Sequence, residues 1–267
     1  MMTRFLAFVR RDFADALSYK AAFAYQLGAL LSTICTVYFL ARMVADASLP
    51  SLAPYGGDYF TFALIGAAFA DYMTVTLHEF SRRIRAAQIL GTLEAMLATP
   101  TNPAVIVIGS AIYRFIWSLL RVVFYLGGGL LLGASFPHVN LPAALLTLFL
   151  GMIAFGAVGI LGAAAVLVLK AWNPVAALFS GLSFLLGGVL YPVSTLPEAA
   201  QTLAWLLPIT HALEAMRGAV VMGKSIPELA APLIVLAGFT VVMLPLSLWA
   251  FKKALHHMRV EGSLSHY

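Results

Sequence analysis

The sequence has few charged residues and almost no cysteine, and both shortages exclude classes of protein. Only 10% of its 267 residues are charged, whereas a soluble domain carries about 25%. A chain of this length cannot bury a hydrophobic content of 62% in one core that faces water. The single cysteine, Cys35, excludes an internal disulfide and a cysteine-based metal cluster. With a mean hydropathy of +0.94, the composition predicts a polytopic membrane protein rather than a soluble enzyme or a disordered chain.

Long apolar segments predict an all-α fold with six transmembrane helices in one domain that spans residues 1–267. A spanning helix needs about 20 largely apolar residues. Segments of this kind occur at residues 21–44, 58–80, 104–133, 142–169, 173–191 and 229–251. Residues 1–20 place apolar side chains at helical spacing and charges elsewhere, which predicts an amphipathic helix in the membrane interface. A solvated leader is the alternative interpretation of that segment.

The positions of lysine and arginine predict the orientation, because cytoplasmic loops carry an excess of basic residues. With the N-terminus inside, eleven of the 16 basic residues lie on the cytoplasmic side: Arg4, Arg10, Arg11, Lys20, Arg82, Arg83, Arg85, Lys170, Lys252, Lys253 and Arg259. Both termini are therefore predicted to be cytoplasmic. The net charge of +5 then follows from topology, and a nucleic-acid partner is not expected.

Three charged residues, Asp71, Arg114 and Arg121, fall inside predicted spans. Charges at membrane depth are costly and usually form pairs or functional sites. Asp71 lies about ten residues before the predicted end of span two, and Arg114 lies about ten after the start of span three. Since these spans are antiparallel, we expect an Asp71–Arg114 contact, with Arg121 two turns further along. Such a cluster forms either a structural lock or a site for an anionic group of the substrate.

The segment 82–100 between spans two and three is too long and too patterned for a simple turn. An apolar stripe with charges on other faces predicts a short cytoplasmic helix, which Thr99-Pro100 ends. That helix either docks a soluble partner or lies on lipid.

Prolines interrupt the apolar segment 192–217 and predict a re-entrant hairpin of short helices near the outer mouth. Broken backbone at membrane depth requires surrounding protein or a water-filled cavity. The polar residues His211, Glu214 and Arg217 fall on this hairpin, either as part of a gate or on an ordinary exterior loop.

Two motifs resemble segments of the type-two ABC exporter permeases. The string GTLEAMLATP at residues 91–100 is similar to the coupling helix of that family. Residues 190–218, LYPVSTLPEAAQTLAWLLPITHALEAMRG, resemble its re-entrant stretch between spans five and six. The two motifs occur in order and at matching topological positions, so the resemblance covers essentially the whole chain.

The resemblance implies the transmembrane subunit of an ATP-driven exporter in the bacterial cytoplasmic membrane. Its cargo would be amphiphilic or lipid-linked: drug-like, a lipo-oligosaccharide or a polysaccharide. The chain itself would be no enzyme and hold no cofactor, because ATP and Mg²⁺ would bind two separate ATPase subunits. A second copy (a homodimer) or a homologous permease would complete the transporter within the lipid. The pathway would lie between the protomers, bordered by spans one and five.

The resemblance also assigns residues to two elements. Coupling to the ATPase falls on Arg82, Arg83, Arg85, Gly91, Thr92, Glu94, Thr99 and Pro100. The gate falls on Tyr191, Pro192, Leu196, Pro197, Pro208, His211, Glu214 and Arg217.

Other function classes have weaker support in the sequence. An ion-coupled secondary transporter would use Asp71 as its proton carrier and should show an internal repeat of broken spans. Residues 218–225, GAVVMGKS, satisfy the phosphate-loop pattern, but they follow a helical stretch and are predicted to lie outside the cell. The histidines show no metal-binding spacing, so no metal site is expected.

Overall fold

A computed structural model describes residues 20–45, 50–89, 91, 103–169 and 173–260. Within these ranges the side chains of residues 20, 22, 23, 103–115, 259 and 260 are not described. The predicted interfacial helix at residues 1–20 lies outside the described residues, apart from the backbone of Lys20. So do Thr92, Glu94, Thr99 and Pro100 of the predicted coupling helix.

All regular structure in the described residues is helical, which agrees with the predicted all-α fold. The α-helices are α1 (Lys20–Met43), α2 (Tyr59–Ile89), α3 (Pro103–Leu131), α4 (Leu141–Leu169), α5 (Pro174–Leu186), α6 (Glu198–Leu206), α7 (Pro208–Val220) and α8 (Ala230–Val260). Two short 3₁₀ helices lie at Pro50–Tyr55 and Val193–Thr195.

Helix α2 is the central helix of the fold and packs against α3 and α4. Asp58 caps the N-terminus of α2: its carboxylate accepts hydrogen bonds from the backbone N–H groups of Phe60 and Thr61 at 3.1 and 3.0 Å. The amide of Gly91, which has a φ of 64°, bonds to the carbonyl of Gln88 beyond the last turn. The 31 residues of α2 are about 47 Å long, well beyond the roughly 30 Å of a bilayer core.

The observed end of α2 differs from the predicted boundary at residue 80. No turn separates the second span from the basic residues Arg82, Arg83 and Arg85, which lie on the last turns of the same continuous helix. The sequence here has neither glycine nor proline, so nothing stops the helix before Gly91. The first part of the predicted 82–100 helix is therefore a rigid extension of span two.

Four of the described helices are long and apolar enough to cross a membrane: α1, α2, α4 and α8. Helix α5, in the predicted span 173–191, has only 13 residues, about 20 Å, before the chain turns at Gly187 and Gly188. Gly188 has a φ of 77°, a conformation that favours glycine. The hairpin of α6 and α7 follows and extends to Val220, three residues beyond the predicted end.

The main core lies among α2, α4 and α7, around fully buried Phe69, Tyr72, Phe155 and Leu213. Helix α4 packs along most of α8. Helix α1 instead lies at the edge, against α2 and α3, with large apolar side chains exposed. The hairpin helix α7 is thus part of the core, whereas α1 is peripheral.

Candidate functional site

Asp71 of α2 and Arg121 of α3 form a two-point ion pair within the helical bundle. Arg121 donates from Nε to Oδ2 at 2.7 Å and from Nη2 to Oδ1 at 2.6 Å. The side chain of Asp71 is 23% exposed and that of Arg121 is 14% exposed. A guanidinium that donates two hydrogen bonds to one carboxylate forms the strongest kind of side-chain ion pair. Here both oxygens of Asp71 accept a hydrogen bond from Arg121.

This pairing differs from the predicted Asp71–Arg114 contact, and the helix ends explain why. Asp71 lies 18 residues before Ile89, and Arg121 lies 18 residues after Pro103 (89 − 71 and 121 − 103). The two residues are therefore at matching depth once α2 is measured to its true end. The side chain of Arg114 lies outside the described residues.

Helix α1 makes polar side-chain contacts with α3 one turn before and one turn after Arg121. Trp117 donates from Nε1 to the amide oxygen of Gln26 at 3.0 Å. Two turns further along each helix, the side chain of Tyr125 lies beside that of Thr33. A polar seam thus joins the peripheral α1 to the helix that carries Arg121.

Arg217 lies at the centre of the hairpin packing, where its side chain is 3% exposed. Its Nη2 donates to the backbone oxygens of Phe62 and Val189 at 3.1 and 3.0 Å. The guanidinium carbon also lies 3.5 Å from the centre of the Phe62 ring, a close cation–π contact. Arg217 therefore ties α7 to α2 and to the turn after α5, and it acts here as an internal tether.

Gly66 makes this tether sterically feasible. A Cβ at this position would lie 1.9 Å from the carbonyl oxygen of Val189 and 2.8 Å from Nη2 of Arg217. Only a residue without a side chain lets α2 approach the turn after α5 this closely.

His211 and Thr210 fix the corner between α6 and α7. Nε2 of His211 is 2.8 Å from the carbonyl oxygen of Trp205, and the hydroxyl of Thr210 donates to the carbonyl of Ala204 at 2.6 Å. The last carbonyls of a helix have no partner within that helix. These two side chains supply partners for α6, and the predicted gate residue His211 is buried at this corner.

The other predicted gate residues lie along the hairpin. Tyr191 donates its hydroxyl to the carbonyl of Leu185, Pro192 and Pro208 are buried, and Leu196 is half-buried, whereas Pro197 and Glu214 are exposed. Glu214 borders a small cavity of about 80 Å³, whose other lining residues include Tyr55, Ser194, Trp205 and Arg217. Burial raises the pKa of Tyr55, and the positive charge of Arg217 opposes that rise.

The predicted coupling residues begin beside a buried carboxylate on α2. Glu79 accepts hydrogen bonds from Nε of Arg83 at 2.8 Å and from Nη2 of Arg82 at 3.5 Å. The Arg82 side chain is 59% exposed, and Arg85 is half-buried. Glu79 thus orients the basic residues on the last turns of α2, whose apolar face still packs against α4 and α8.

Asn173 is an interhelical contact residue that was not predicted from the sequence. Its Oδ1 accepts from the amide of Ala176 at 3.0 Å and caps α5. Its Nδ2 donates to the hydroxyl of Ser81 on α2 at 2.5 Å. The Asn-Pro pair at the start of a span was the available signal, because asparagine favours the cap position and proline the first helical turn.

A model of the ABC-2 type transporter family matches residues 3–221 of the chain, which include all eight of the predicted gate residues and all eight of the predicted coupling residues. The chain belongs to the ABC-2 type transporter family. A search of curated proteins found no match. Membership confirms the predicted family, and it makes this chain a membrane-embedded transport subunit of an ABC transporter.

The phosphate-loop pattern of this ABC-2 permease has a different structural role. The backbone N–H and the hydroxyl of Ser225 both donate to Glu228, at 2.7 and 2.5 Å, and these bonds lower the pKa of Glu228. The amide of Lys224 bonds to the carbonyl of Gly218. The groups that would hold a phosphate therefore close the turn between α7 and α8. No cluster of three potential metal ligands occurs among the described residues.

Proposed function

We propose that this ABC-2 permease is the transmembrane half of an ATP-driven exporter for amphiphilic or lipid-linked cargo in the bacterial cytoplasmic membrane. Two copies pair with two separate ATPase subunits, which bind ATP and Mg²⁺. Each copy crosses the membrane six times with both termini in the cytoplasm. The observation that carries the proposal is the family match together with the continuous helix α2, which extends from the ion pair to the basic coupling residues.

Six crossings are supported by the lengths of the remaining helices. Helix α3 has 29 residues, about 44 Å, which exceeds the roughly 30 Å of a bilayer core. Helix α5 is shorter, and the hairpin of α6 and α7 supplies the remaining depth at its C-terminal end. With these two crossings added to α1, α2, α4 and α8, both termini lie on one side.

Exposed apolar side chains on α1 and α5 support pairing with a second copy. Both helices carry large side chains that the described part of the chain leaves uncovered: Tyr25, Leu31 and Phe39 on α1, and Leu178, Leu182, Phe184 and Leu185 on α5. A pathway bordered by these helices would be largely apolar. Such a lining suits an amphiphile or a lipid-linked molecule better than a free ion.

Helix α2 can transmit a movement of the ATPase to the rest of the helical bundle. Its last turns carry Arg82, Arg83 and Arg85 ahead of the predicted contact residue Glu94. Further back along the same helix, Ser81 bonds to Asn173 at the start of α5. A push on the segment 82–100 would therefore reach both α5 and the Asp71–Arg121 pair through one rigid helix.

The geometry gives little support to the alternative function, proton-coupled transport through Asp71. Both oxygens of Asp71 accept hydrogen bonds from Arg121. A proton carrier would have to break this pair in every cycle.

The test is reconstitution of the full chain with its ATPase in vesicles, with ATP hydrolysis and export of a fluorescent amphiphile as readouts. We expect Glu94→Arg to abolish association with the ATPase and export. Glu198→Arg, which makes the same change at an exposed position at the start of α6, is the matched control and should leave association with the ATPase intact. Proton-driven uptake by the chain alone, with transport unaffected by Glu94→Arg, would overturn the proposal.

A further inference from the structure

A groove lies on the outer face of the bundle between α4 and α8, beside the start of α5. Its volume is about 570 Å³, within the roughly 300–1,000 Å³ typical of small-molecule sites. Four alanines form its floor, two on each helix: Ala164, Ala165, Ala250 and Ala254. Larger side chains form its walls: Leu161 and Val168 on α4, Val175 on α5, and Trp249 on α8. The small alanine side chains leave this groove between α4 and α8.

The C-terminal end of this groove carries polar groups at helical spacing. Trp249, Lys253 and His257 are four residues apart, so they follow one face of α8. Nζ of Lys253 lies 5.3 Å from the centre of the Trp249 ring. No acidic side chain is among the groove-lining residues in the described part of the chain. The groove is therefore apolar along its length and cationic at one end.

The position of this end matches the boundary of a bilayer. The 23 residues from Leu229 to Phe251 carry no charge, and Lys252 and Lys253 follow immediately. Tryptophan is enriched at the boundary between hydrocarbon and headgroups, and lysine extends its ammonium group toward the headgroups there. The apolar part of the groove thus lies beside acyl chains, and Lys253 lies at headgroup level.

We propose that this groove is a binding site for an anionic phospholipid. One acyl chain lies along the alanine floor against Leu161 and Trp249, and the headgroup phosphate pairs with Lys253. The charge complementarity selects an anionic over a zwitterionic lipid, since basic residues at the membrane surface attract anionic headgroups. Assignment of the lipid to the cytoplasmic leaflet rests on the topology given under the proposed function. The binding itself does not depend on that topology.

Native mass spectrometry of the purified full chain tests this site, with phosphatidylglycerol and phosphatidylcholine as competing probes. We expect phosphatidylglycerol adducts to be retained in preference to phosphatidylcholine. Lys253→Ala should weaken that retention about five-fold, the value of one basic residue near an anionic headgroup, and Lys253→Arg should restore it. Ala165→Trp fills the groove from its lipid-facing side and should also remove the adduct.

Lys224→Ala removes a lysine from the exposed turn before α8 and is the matched control, which should retain the lipid. Equal retention of the two lipids, or loss only with Lys253→Ala and not with Ala165→Trp, would overturn the site and indicate a nonspecific surface charge effect. Conversion of dimer to monomer by Ala165→Trp would overturn it in favour of a second copy as the occupant. The assay uses neither the ATPase nor transport, so its failure is distinct from failure of the exporter function.

Discussion

The amide of Asn173 donates a hydrogen bond to the hydroxyl of Ser81 at 2.5 Å, and this contact ties the first turn of α5 to α2. The same side chain caps α5 and lies against Gly162 of α4. One residue therefore joins α2, α4 and α5 near the C-terminal end of α2. Under the proposed function, a movement of α2 would reach α5 through this contact.

Gly162→Ala should disrupt this joint. The new Cβ would lie 2.5 to 3.0 Å from three side-chain atoms of Asn173, which cannot move away without losing its bonds to Ser81 and Ala176. We expect a loss of about 1–3 kcal/mol, the usual cost of overpacking, and continued ATP hydrolysis with reduced export. Thermal unfolding and paired ATPase and export assays measure the two effects. Gly238→Ala, at a helical position with nothing within 4 Å, is the control; an equal loss there would contradict the steric argument.

Removal of one partner of the Asp71–Arg121 pair should destabilise the bundle more than removal of both. Asp71→Leu leaves the Arg121 guanidinium largely buried without its carboxylate, at a cost of about 3–5 kcal/mol. The double variant Asp71→Leu/Arg121→Leu should recover most of that loss, because a buried pair can often be replaced by apolar groups. Thermal unfolding of the purified single and double variants gives the comparison.

Export by the double variant separates the two roles considered for this pair. A structural lock predicts that export returns together with stability. A site for an anionic group of the substrate predicts a stable double variant without export. We expect recovery of both, and a stable but inactive double variant would contradict the lock.

Gly66→Ala should be among the most damaging single-methyl changes in the chain. Its Cβ would lie 1.9 Å from a backbone carbonyl, that of Val189, so the turn after α5 must move. The shift also breaks the hydrogen bonds of Arg217 to Val189 and Phe62. We expect a loss of about 3 kcal/mol or more, read as a lower unfolding midpoint. Gly127→Ala, in α3 with nothing within 4 Å, should leave the midpoint unchanged or raise it.

His211 offers a test between a structural and a gating role. Its Nε2 contacts the carbonyl of Trp205 in a buried corner. His211→Ala should lower stability by about 1–3 kcal/mol because that carbonyl loses its partner. His211→Gln carries an amide N–H at a similar reach and should retain most of the stability and the export. Loss of export in a fully stable His211→Gln protein would indicate that the imidazole itself acts in the gate.

Hydropathy and charge in the sequence were sufficient for the all-α fold and the membrane location. The prolines of segment 192–217 also predicted a hairpin of short helices, and α6 and α7 lie there. These features depend on local pattern: apolar length, turn residues and breaks. The count of six crossings depends on the same pattern and remains a prediction.

Contacts between helices were harder to predict. Asp71 pairs with an arginine at matching depth on the next helix, as expected. The predicted depth, however, was counted from residue 80, and α2 continues past that residue without a break. A nine-residue error in one helix end moves the matching position by two turns or more, from Arg114 to Arg121. Arg82, Arg83 and Arg85 indicated the end of the apolar segment, but α2 continues past them to Ile89.

The partners of Arg217 and Asn173 show a second reason why contacts between helices are hard to predict from the sequence. Arg217 bonds to the backbone of Phe62, 155 positions away, and any residue type can offer that carbonyl. Asn173 bonds to Ser81 at a separation of 92. Neither partner has a distinctive spacing in the sequence, so only the three-dimensional packing reveals them.

The short length of α5 has a consequence for the proposed transport of lipid-linked cargo. At about 20 Å, this helix accounts for roughly two-thirds of a 30 Å hydrocarbon core. Beyond it, the chain turns at Gly187 and Gly188 and continues into the hairpin. Under the proposed function, a headgroup that moves along α5 would pass a helix shorter than the hydrocarbon core, and the hairpin would border the rest of its route.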